Sequence, residues 1–99
     1  MLKNPFPSHP GVLLSEVYLN QMSWNQSMLA AEIGCVHRKV NEIINGKRGI
    51  SADFALDLER VLGTEAEMWV RLKAEYDLSV ARKKKGISLF SFNSIKISK

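Results

Sequence analysis

Ninety-nine residues, 45% of them hydrophobic and 24% charged, fit one small soluble domain with a modest core. No apolar run nears the ~18 residues of a membrane span, and the opening MLKNPFPSHPG has no secretory h-region. With Cys35 as the lone cysteine there is no disulfide framework, so a cytoplasmic, membrane-free protein is expected. The formal charge of +4 is unevenly spread. Residues 79–99 carry Arg82, Lys83, Lys84, Lys85, Lys96 and Lys99 and no acid, while 53–77 holds seven acids against three bases. A second basic patch, Arg38, Lys39, Lys47 and Arg48 against Glu42, lies in 36–49. Such a patch on an otherwise acidic body suits a polyanion.

In chain order, Lys3 to Pro7 reads as a short extended arm, because two prolines in three residues oppose regular structure. Ser8 or His9 caps a first helix with Pro10 near its first position. That helix runs to about Met22, with Leu13, Leu14, Val17, Tyr18 and Met22 inward. Two caps compete for the second helix. Ser23 with Gln26 makes a capping box; Asn25 alone leaves Gln26 at the exposed first turn, and is preferred. Trp24 is then a staple or a core wedge.

The second helix ends at Gly34 and the third spans His37 to Ile44. Leu29, Ala30 and Ile33 share one face; Val40 and Ile43 share another. Gly34 tolerates the positive φ of a sharp turn, and small Ala30 lets the next helix cross closely. This is a helix-turn-helix pattern. The side opposite Val40 and Ile43 carries His37, Arg38, Lys39, Asn41 and Glu42. Val36 is a poor N-cap, so a DNA phosphate is expected to meet the free N–H groups there.

Gly46 ends the third helix in a left-handed position, and Lys47-Arg48-Gly49 forms a basic loop. Ser51 caps a fourth helix bearing Phe54, Ala55, Leu58, Val61 and Leu62 as one stripe, ended by Gly63. Thr64 and Glu67 read as a capping box for a fifth helix with Met68, Trp69, Leu72 and Tyr76. From Ser79 the pattern changes: ARKKKG reads as a basic linker, and ISLFSFNSIKIS as a short strand, a partner-ordered segment or a disordered tail. The expected organisation is an all-α, five-helix, helix-turn-helix DNA-binding domain over 1–78 and a basic C-terminal extension over 79–99.

The chain resembles the HigA-type antitoxins, within the phage-repressor-like helix-turn-helix superfamily. The residues that carry the likeness are His9-Pro10-Gly11, Gln26, Leu29-Ala30 and Gly34. They continue with Ile43, Asn45 through Ser51, Ala55-Leu56, Leu62-Gly63-Thr64, Trp69 and Tyr76-Asp77-Leu78. The resemblance spans about 8–82; Val36 stands where the pattern has Ser or Thr, and 83–99 match nothing. It implies a homodimer on an inverted-repeat operator in double-stranded DNA that represses its own operon and neutralises a small ribonuclease toxin. By the same analogy Gln26, Lys47 and Arg48 meet phosphates, which set register and salt dependence. His37, Arg38, Lys39 and Asn41 are the expected base readers, since Arg or Lys suits guanine and Asn suits adenine. Glu42 either accepts from cytosine or repels phosphate.

Other readings fare worse. A ribonuclease using His37 with Arg38 and Lys39 lacks a second acid or base at useful spacing, so no enzyme is expected. Cys35 and His37 have only His9 and scattered acids to complete a metal site, so no metal or cofactor is expected. A stand-alone phage-type repressor without a toxin shares every DNA-binding feature and remains the alternative.

Overall fold

A computed structural model describes residues 8–86 and shows five helices and no strand among them. The readings of the arm at 3–7 and of the tail at 87–99 lie outside those residues. The first helix, α1, is continuous over residues 10–22 but changes pitch along its length. Pro10–Leu13 and Asn20–Met22 are α-helical, while Leu14–Leu19 form a π-turn. The His9 side chain, not Ser8, caps it, with Nδ1 accepting from the Gly11 N–H at 3.0 Å. The π-turn corrects the expected inward face. With five residues per hydrogen-bonded ring, Leu14 and Leu19 fall on one side, and both are buried. Val17 and Met22, expected inside from a 3.6-residue period, are 38% exposed.

Ser23 ends α1 in the left-handed conformation rather than opening the next helix. Asn25 caps α2, Gln26–Ile33, accepting from Met28 N–H at 2.8 Å. Gly34, at φ 87°, closes it; the Gly34 and Cys35 N–H groups both donate to the Ala30 carbonyl. Arg60 supplies donors to the remaining carbonyls of Glu32 and Ile33. The next helix, α3, is His37–Ile44. It ends at Gly46, φ 76°, with Lys47 N–H donating to the Glu42 carbonyl. Ser51 caps α4, Ala52–Leu62, accepting from Phe54 N–H. Gly63 ends it, again in the left-handed region.

The capping box expected at Thr64 and Glu67 does not form. Burying Trp69 completely leaves its indole N–H in need of an acceptor, and the Thr64 hydroxyl serves it at 2.7 Å. The start of α5, Ala66–Lys84, is met instead by Glu59, whose carboxylate accepts from Ala66 N–H. This helix also corrects the linker reading: ARKKKG is helical to Lys84, past the boundary expected at 78. Lysine and arginine are good helix formers and suit the negative end of the helix dipole.

One core joins all five helices: Leu14, Leu19, Leu29, Ala30, Val40, Ile43, Ile50, Phe54, Ala55, Leu58, Ala66 and Trp69. Tyr18 leans on Trp69 with ring centroids 5.6 Å apart, and His9 meets Tyr76 edge-on at 5.1 Å. The tightest seat is under Gly11. A Cβ there would overlap the carbonyl oxygen of Ile43 and approach Ile44 Cα to 2.9 Å. Only glycine lets the start of α1 lie against the end of α3, and this contact fixes the tilt of α3 against the body.

Candidate nucleic-acid interface

The short α2, the glycine turn and α3 place one helix across another, with Ala30 at 3% exposure beneath fully buried Val40 and Ile43. Burying those two side chains turns the opposite side of α3 outward. His37, Arg38, Asn41, Glu42 and Asn45 lie there, each three or four residues from another. His37 and Arg38 are exposed at the helix start; Asn41 and Glu42 are half-buried one turn on.

Two hydrogen-bonded systems order this surface. In the first, Asn45 Nδ2 donates to Asn41 Oδ1 at 3.2 Å, and Asn41 Nδ2 donates to Gln26 Oε1 at 3.0 Å. The chain of amides locks α2 to α3 through their outward side chains. It leaves the Gln26 amide nitrogen free to donate outward and gives Asn41 a fixed orientation, with one amide proton and one lone pair unspent. In the second, Glu42 accepts from Arg38 Nε at 3.1 Å and from Arg48 Nε and Nη2 at 3.0 and 2.7 Å. Hydrogen bonds from Arg48 and then Arg38 hold its carboxyl below the ordinary carboxylate range.

Lys39 departs from its expected neighbours. Its ammonium lies 5.3 Å from the centroid of the Phe54 ring, at the edge of the core, so it flanks the row rather than sharing it. Lys47 and Arg48 sit in the exposed loop after α3, as their sequence position implies. That loop rests on His9, whose imidazole is held below its ordinary value mainly by burial, against the opposing pull of Asp77 and the Arg48 backbone. Val36 caps α3 with extended backbone and no side-chain hydrogen bond, and is 69% exposed.

Sequence reasoning missed one member of this surface and the connections of another. Asn45 reads as a helix-ending residue, yet its side chain begins the amide chain; the four-residue spacing from Asn41 was the available signal. Glu42 reads as a lone acid, yet it joins Arg38 to Arg48. The first pair has helical spacing, but the second depends on how the loop folds back. Among the described residues no polar or charged side chain is buried, and no group of three His, Cys, Asp or Glu could hold a metal. The chemistry available here is an outward-facing array of hydrogen-bond donors and acceptors.

The helix-turn-helix family model matches residues 16–69, which contain α2, α3 and α4 entire. The chain belongs to the helix-turn-helix family. Its fold is that of the HigA- and GraA-type antitoxins. The Pseudomonas aeruginosa antitoxin HigA, solved with the higBA promoter, is 36% identical and superposes with a TM-score of 0.78 over 81% of this chain and 87% of that one. The antitoxin GraA in complex with its operator is 37% identical, with a TM-score of 0.76 over 87% and 88% of the two chains. Virulence-associated protein I of Dichelobacter nodosus is 39% identical over 84 residues, 84% of this chain and 78% of the relative. No helix among the described residues is long and apolar enough to cross a membrane.

Proposed function

We propose that this protein is a cytoplasmic, DNA-binding antitoxin that binds an inverted-repeat operator as a homodimer, represses its own operon and neutralises a small ribonuclease toxin. The observation that carries the reading is the amide chain Gln26–Asn41–Asn45 beside Arg38, at the outward start of a helix held across α2. Two relatives sharing that fold were solved on promoter or operator DNA. In the proposed complex α3 enters the major groove. Arg38 reads guanine O6 and N7 with its guanidinium, Asn41 reads adenine N6 and N7, and His37 reaches an adjoining base edge. Gln26, Lys47 and Arg48 contact phosphates, as does the uncapped start of α3. Lys39 stands beside this row and serves the flanking backbone better than a base. One eight-residue helix covers few base pairs, so a second copy about 34 Å away, one turn of the duplex, completes the site.

Co-expression with the reading frame adjacent to its gene tests the whole proposal. A stable complex and restored growth are expected when that frame alone is toxic. Operator binding without any such complex would instead identify a stand-alone repressor.

A further inference from the structure

We propose that Glu42 is a specificity-determining positioning residue of the DNA interface, holding Arg38 for base reading and keeping Arg38 and Arg48 from indiscriminate phosphate contact. The inference rests on the DNA-binding reading above and goes beyond it. An acid in the middle of a DNA-facing row is an electrostatic cost, since it repels every phosphate. Its placement explains what the cost achieves. Glu42 is only 22% exposed, whereas the arginines it joins are 84% and 49% exposed. Without it both guanidinia would sweep a wide arc.

The donor count is specific. Arg38 gives Nε–H to Glu42 and keeps both terminal nitrogens free. Those two nitrogens present an end-on fork that matches guanine O6 and N7. Base reading by Arg38 therefore leaves the ion pair intact. Arg48 is held differently: Nε and Nη2 both point at one carboxylate oxygen. A phosphate taking the side of that fork must displace the carboxylate, while one approaching Nη1 need not. A phosphate that takes the Nε side of either guanidinium competes with Glu42; a guanine read end-on by Arg38 does not. The carboxylate thus weakens non-specific complexes more than the specific one, which is discrimination by a repulsive element. As an ion pair at the protein surface it adds little to folding stability, so its effect can be separated from foldedness.

The test uses the full chain and two probes: a duplex the wild type selects from a randomised pool, and a scrambled duplex of the same composition. Glu42→Gln, which keeps shape and removes charge, should bind the scrambled duplex more tightly, with a salt dependence steeper by about one unit per protomer. The ratio of selected to scrambled affinity should fall roughly tenfold. The thermal midpoint should be unchanged. Changing each guanine of the selected duplex in turn should identify one base pair whose preference Glu42→Gln relaxes. In an Arg38→Ala background Glu42→Gln should have no further effect on that pair. An unchanged ratio in Glu42→Gln, or an equal loss with and without Arg38, overturns the proposal while leaving DNA binding intact. Failure of the wild type to select any duplex overturns the DNA-binding reading and this inference together.

Discussion

Neighbouring helices α3 and α4 are built by opposite rules. The fourth carries its own signals: Ser51 caps its start, Asp53 suits its dipole, and an apolar stripe runs to Gly63. The third has eight residues, an uncapped start at Val36 and just two fully buried side chains. It is held from outside, by Gly11 beneath its last turn and by Gln26 across its face. The fourth helix therefore carries its own start and stop signals, whereas the third leaves its start without a side-chain cap and turns polar side chains outward, where hydrogen bonds to α2 and the following loop order them. Short isolated helices are marginal in water, so α3 exists because the body positions it.

The strongest way to break this division is to unseat α3. Gly11→Ala drives a methyl into the Ile43 carbonyl and should cost about 3 kcal/mol of stability, read from chemical denaturation. The loss should exceed that of Ala52→Gly at the first position of α4, at most about 1 kcal/mol. Were the two equal, the Gly11 seat would not be what holds α3. Next come the side chains that α3 presents. Arg38→Ala should cost about 1–3 kcal/mol at one base pair, whereas Lys47→Ala should weaken all duplexes alike and lower the salt slope by about one. A uniform loss from Arg38→Ala would remove it from the base readers.

A smaller pair of changes compares the two helix starts directly. Ser51→Ala should destabilise free protein by about 1 kcal/mol, and Val36→Ser should stabilise it by a similar amount. If phosphate already meets the N–H groups at Val36, the gain shrinks in the DNA complex; equal gain in both states would refute that contact. The smallest effect is on pH. His9 caps α1 and so supports the Gly11 seat. Its pKa is lowered on folding, so the unfolded chain takes up the proton first. The stability it confers is full above about pH 6.5 and is lost as pH falls from there through the lower folded-state value. His9→Asn, which can still cap, should flatten that part of the denaturation profile while Ser51→Ala leaves it unchanged.

How much of this was legible follows from which forces are local. The Asn25 and Ser51 caps and the stops at Gly34, Gly46 and Gly63 are decided within a few residues, and the sequence shows them. Thr64 misleads because its hydroxyl is taken by the indole five residues on, which needs an acceptor once the core has buried Trp69. Leu19 was hidden because the period of α1 is set by the core it packs on, not by its own spacing. On the candidate interface the row from His37 to Asn41 follows from helical geometry, and Lys39 falls away from it through contact with Phe54, a residue fifteen positions on. The Arg48 contact with Glu42 needed the loop conformation, which no pattern of residue types encodes.

The wide turn between Leu14 and Leu19 amounts to one surplus residue looped out of an ordinary helix without disturbing either end. Excising Glu16, which is exposed there, would let the strip rewind at normal pitch while the two leucines still point inward. Chains of unequal length could in this way share one scaffold, and a melting curve for the shortened chain that matches the parent would show that the extra residue is a passenger.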